Sequence, residues 1–125
     1  MFNRSEKHST HFDTLIGRSA RIEGDVEFSG GLHIDGQVAG NVRVAPGGAA
    51  SVSISEHGVI EGSVEAPQVI LNGTVHGDII ASERVVLGAK ARVRGNVSYG
   101  VIEMALGAEI TGRLVPSNAA AAQAV

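Results

Sequence analysis

The chain has 125 residues, a formal net charge of −3, no Cys, no Trp, one Tyr and three Phe, a length that suits one domain. Ten basic against 13 acidic residues leave no electrostatic footprint for nucleic acid, and the lack of Cys removes disulfides, thiolate catalysis and Cys-based zinc or iron–sulfur sites. Gly, Pro, Ser or Asn interrupts every uncharged stretch before it reaches membrane-spanning length, and Met1-Phe2-Asn3-Arg4-Ser5-Glu6-Lys7 leads into no apolar signal core, so the expected location is the cytoplasm.

In chain order, residues 1–14 are polar and mixed in charge and are expected to form a flexible N-terminal tail. Patterned sequence starts at Leu15-Ile16-Gly17. From there one motif, apolar-x-Gly-x-apolar, returns eight times. The copies are centred on Gly24, Gly36, Gly40, Gly62, Gly73, Gly77, Gly95 and Gly112. Two pairs overlap into a doubled form, over 34–42 and 71–79, offset by 37 residues, while Gly77, Gly95 and Gly112 are 18 and 17 apart. The interval of 37 is therefore close to two turns of a coil. Ala45-Pro46-Gly47-Gly48-Ala49-Ala50-Ser51 has no clean phase, widens the Gly40–Gly62 interval to 22, and reads as a loop at a corner. Ser117 to Val125, after Pro116, is Ala-rich and is expected to be a second flexible tail.

Around each motif apolar and polar residues alternate, as in Ala20, Ile22, Gly24, Val26 and Phe28 against Arg21, Glu23, Asp25 and Glu27, which reads as a strand with one dry and one wet face. Val and Ile outnumber Leu by 26 to 6, a balance suited to pleated strands. The inward set is even-numbered up to Ala66, odd after Pro67-Gln68, and even again from Gly100; such slips mark turns. No helical period is present. Small inward residues at a repeat of about 17 fit a narrow stacked tube better than a sandwich or barrel. The expected fold is all-β: a single-domain parallel β-helix over residues 15–116, of about six coils and roughly 29 Å tall at the spacing of a strand ladder.

Motifs of known chemistry are absent: there is no Walker loop, dinucleotide-binding Gly fingerprint, nucleophile elbow or HExxH sequence. His8 and His11 stand in a polar tail without a third ligand, and His33 and His76 occupy outward strand phases, where solvated side chains are the ordinary case. No catalytic residue, cofactor site or metal site is assigned. The ends of the solenoid carry the stronger signal. Neither Leu15-Ile16-Gly17 nor Ile110-Thr111-Gly112-Arg113-Leu114-Val115 is flanked by an amphipathic capping helix, and uncapped coils expose strand edges and interior residues that can pair with another copy. End-to-end polymerisation is the expectation. It needs no ATP or GTP, since the sequence offers no nucleotide site.

Leu15-Ile16-Gly17, Ala20 to Val26, Ile34 to Val42, Leu71 to Ile79 and Ala91 to Val97 together resemble the bactofilins, bacterial polymer-forming cytoskeletal proteins. The resemblance covers about residues 15–115. It implies a right-handed β-helix whose subunits join through their terminal coils into filaments or bundles without polarity. It also implies a scaffold for cell-shape and envelope enzymes, including peptidoglycan synthases and hydrolases, at the inner face of the cytoplasmic membrane. Met1, Phe2, Arg4 and Lys7 are similar to the family's membrane-targeting start, although Glu6 and Asp13 cancel the local charge. Leu114, with Ile110 and Val115 beside it, matches the family's apolar contact in the last coil, and Leu15 and Ile16 stand at the opposite end. Two other readings compete. A non-polymerising solenoid could bind a protein or glycan on a flank bearing Lys90, Arg92 and Arg94. A left-handed acyltransferase helix, with His76 as its catalyst, needs a six-residue phase that the doubled motifs break.

Overall fold

Short runs of β-branched residues cut by Gly, Asx and Pro cannot build long strands, and they form strands of three to nine residues that are all paired in parallel. The computed structural model describes residues 13–46 and 50–116. The residues read as tails, apart from Asp13 and Thr14, lie outside this range. Six coils follow one another. Thr14–Ile16 (β1), Arg21–Glu23 (β2) and Val26–Phe28 (β3) form the first; Gly30–Ile34 (β4), Gln37–Ala39 (β5) and Val42–Val44 (β6) form the second. Ala50–Ile54 (β7), Val59–Glu61 (β8) and the start of Val64–Leu71 (β9) make the third. The fourth comprises the end of β9, Thr74–His76 (β10) and the start of Ile79–Leu87 (β11); the fifth, the end of β11, Arg92–Arg94 (β12) and the start of Val97–Met104 (β13). The end of β13, Glu109–Thr111 (β14) and Leu114–Pro116 (β15) complete the sixth. The solenoid thus has three faces. One is the six-stranded sheet β2-β5-β8-β10-β12-β14; the other two merge wherever a strand runs around a corner.

The expected phase changes fall where the chain turns. Val64 and Ala66 point in, then Val69 and Leu71; Val97 is buried and Ile102 continues the inward set. Pro67 and Gly100 each add one unpaired residue at this corner, and Ser82-Glu83 adds two, the register shifting between Ala81 and Arg84. Two residues leave the parity unchanged, so that corner is silent in the alternation. The motif glycines differ from the expectation. The alternation around Gly24 reads as one strand, whereas the chain bends there and divides into β2 and β3. A Cβ at Gly40, Gly62, Gly77, Gly95 or Gly112 would overlap the carbonyl oxygen of the stacked glycine one coil earlier, so this corner admits no side chain.

Where the residue after a corner glycine is Asp or Asn, it ties successive coils together. Asp25 Oδ1 accepts from the Asn41 N–H at 2.9 Å, Asn41 Oδ1 from Ser63 at 2.9 Å, Asp78 Oδ1 from Asn96 at 2.9 Å and Asn96 Oδ1 from Arg113 at 3.1 Å. The interior is apolar throughout the described residues, with no buried polar side chain beside the column of Val, Ile, Leu, Ala and Phe. Full burial of each such Val, Ile or Leu contributes about 1.5–3 kcal/mol.

Candidate assembly ends of the solenoid

Because the coils stack in register, inward side chains form continuous columns along the axis. One runs Val26, Val42, Val64, Ile79, Val97, Leu114; another Ile16, Ile34, Ile54, Leu71, Leu87, Met104; a third Ile22, Val38, Ile60, Val75, Val93, Ile110. Inside the stack these residues are sealed, whereas at the last coil Leu114 is 44% and Met104 46% exposed. The columns do not change chemistry where they stop. At the last coil they run out of neighbours, whereas at the first Ile22 and Val26 are half-buried and Ile16 is buried. Among the described residues, strands β1, β2 and β3 at one end, and β14, β15 and the latter part of β13 at the other, pair on one side only.

Several charges near the ends pair within their own subunit, while Glu27 and Arg113, the latter beside Leu114, make no side-chain pair among the described residues. Arg21 lies 3.2 Å from Glu23 and donates to Gln37 Oε1 at 2.8 Å. Asp13 accepts from the Gly31 N–H at 2.9 Å, and a Cβ on Gly30 would strike its carboxylate. Arg84 pairs with Glu103, while Arg92 sits 3.7 Å from Glu109 and donates to the Gly107 carbonyl at 2.8 Å. Exposed pairs of this kind add little stability; they leave apolar column ends and open strand edges as the distinctive surface. On the flank, Lys90 Nζ donates to Glu56 Oε1 at 2.7 Å across the short corner at Asn72-Gly73, and this lysine holds the Glu56 carboxyl below its usual range.

Of the expected assembly residues, Ile16, Ile110 and Leu114 stand in these columns, while Leu15 and Val115 point outward. Leu15 and Ile16 lie at the opposite end from the other three. No single subunit brings the two sets together. Sequence reasoning missed Ile102, Met104 and Leu106 at the last coil, the last 96% exposed on its turn; Ile102 and Met104 belong to the same alternation as Ile110, so the signal was present. Met1, Phe2, Arg4 and Lys7 lie outside the described residues. His76 projects from β10 into solvent beside Glu61 and Arg94 of the adjacent strands. Among the described residues no cluster of three His, Cys, Asp or Glu is placed to hold a metal ion, and no helix is long and apolar enough to cross a membrane.

Residues 14–115 match the family model described as Bactofilin, polymer-forming cytoskeletal. The chain belongs to the bactofilin family. It is also 32% identical over 102 residues to bactofilin BacO of Myxococcus xanthus (strain DK1622), an alignment spanning 82% of this chain and 78% of that protein. No solved structure gives a significant match. The family match ends one residue past Leu114, so it spans all six coils of the bactofilin solenoid, both ends included. This chain is therefore a member of a polymer-forming cytoskeletal family of structural proteins.

Proposed function

We propose that this bactofilin self-assembles end to end, without nucleotide, into filaments or bundles lacking polarity, which line the cytoplasmic membrane and organise cell-shape and cell-envelope enzymes. One observation carries the assembly step: Leu114 is 44% exposed at the end of a column in which Val42, Val64, Ile79 and Val97 are all fully buried. A second solenoid end placed on it continues both the apolar column and the backbone ladder. Stacking a rigid, preformed surface orders few new groups, so most of the apolar burial goes into association. The chain offers no motif for nucleotide, and assembly by strand addition requires none. Catalysis forms no part of this reading.

Leu114→Arg tests the contact. A charge in the apolar junction costs about 3 kcal/mol or more, lowering the association constant at least roughly a hundredfold. Sedimentation should show short oligomers with unchanged circular dichroism; long filaments from the variant would contradict the contact.

Membrane placement rests on Met1, Phe2, Arg4 and Lys7. One Phe and two cations anchor a monomer weakly, but a filament repeats the anchor along its length and gains by avidity. Filaments lacking residues 2–7 should lose co-sedimentation with anionic liposomes; equal pelleting would remove the segment's role. Peptidoglycan synthases and hydrolases are the clients the family resemblance suggests, held on the outward flanks that end-to-end assembly leaves free.

A further inference from the structure

On reversal, the outward side of the sheet β2-β5-β8-β10-β12-β14 sets an acidic against a basic side chain at two of its six cross-pairs and like charges at none. Its two outward rows run Arg21, Gln37, Val59, Thr74, Arg92, Glu109 and Glu23, Ala39, Glu61, His76, Arg94, Thr111, one residue per coil. Laying two such sheets face to face and antiparallel, with a twofold axis between the third and fourth coils, sets Arg21 against the second copy's Glu109 and Glu61 against the second copy's His76. Each contact occurs twice by symmetry. Parallel stacking instead sets Arg92 against the second copy's Arg94. The other faces do not match on reversal: Leu15 would meet Glu103 on one, and Glu65 would meet Ile80 on the other. Glu61, His76 and Arg94 make no ion pair within the chain among the described residues and are all exposed.

We infer that this sheet is the lateral contact between filaments, and that it pairs two copies of the chain antiparallel through Glu61 and His76. The imidazole can donate a hydrogen bond to the carboxylate, and Arg94, one coil away, adds positive potential to the same spot. The inference rests on the end-to-end reading for its strength. A flank about 29 Å tall and roughly 15 Å wide buries on the order of 400 Å² per subunit, about half of what a stable pair of proteins needs. Single subunits should therefore remain unpaired, and filaments, which repeat the contact, should bundle. The contact is charged and solvent-edged, so it weakens with salt, whereas apolar end junctions persist.

The test uses full-length filaments imaged in low and high salt. Unaltered filaments should bundle in low salt and separate into single filaments in high salt. Glu61→Lys should leave single filaments of normal length in both, and Glu61→Lys combined with His76→Glu should restore bundles. As the chain has no Cys, Glu61→Cys and His76→Cys chains, polymerised separately and then mixed, should form an intermolecular disulfide that neither forms alone. Bundles of unchanged width in Glu61→Lys, or equal cross-linking within either single variant, would overturn the contact. An unaltered chain that forms no filaments overturns the end-to-end reading and this contact with it; filaments that form and do not pair overturn this contact alone.

Discussion

Gly77 shows how much of the architecture rests on single atoms. Its Cα lies so close to the Gly62 carbonyl one coil earlier that a Cβ would overlap that oxygen, and both atoms belong to backbone held in a ladder. Gly77→Ala is therefore expected to cost about 2–5 kcal/mol, combining overpacking with a displaced corner, and to lower the midpoint of thermal unfolding clearly. An unchanged midpoint would show that the coils can slide apart. The sequence marks these glycines plainly through the recurring motif but does not assign them. Gly36 and Gly73 sit at one corner, against the carbonyls of Gly17 and Gly58, while Gly40 and Gly77 sit at the next. The overlapping copies are thus two successive corners of one coil, separated by a single three-residue strand. Alternation alone cannot tell a corner glycine from one inside a strand, because both keep the same parity.

At the scale of the element, the corners decide coil length. The first, third, fifth and sixth coils place a four-residue turn before the flat sheet, closed by Ala20 to Gly17, Gly58 to Ser55, Ala91 to Gly88 and Ala108 to Ala105 backbone bonds. The second and fourth coils turn on Asp35-Gly36 and Asn72-Gly73 instead. The doubled motif recurs where the turn is short, in the second and fourth coils. The five residues between β6 and β7 lengthen the interval between its two copies to 37, and both features blur any search for a fixed period. Such a search cannot find the Lys90–Glu56 bridge either, since it spans two coils and depends on the fourth being short. The Asx ladder has one break. Ser63 occupies the position of Asn41 and Asp78, and no bond runs from its side chain to the Asp78 N–H. Ser63→Asn should supply the missing acceptor and raise stability by about 1 kcal/mol, read as a higher thermal midpoint. A lower midpoint would mean that the ladder does not act as a unit.

For the whole molecule, fold class and coil number were legible because every coil repeats the same demand: a dry inward row, a wet outward row and a corner with no room for a side chain. The ends were legible only in part. Leu114 and Ile110 follow from the inward phase, but Leu15 and Val115 are apolar residues in outward phase, and residue type alone grouped them with the column ends. The central claim is that open column ends make this bactofilin a polymer without help from a nucleotide. Negative-stain electron microscopy of the purified chain at physiological salt, with neither nucleotide nor metal added and with sedimentation as a companion, tests it most directly. The account predicts long filaments under those conditions. Compact monomers or small closed oligomers would contradict it.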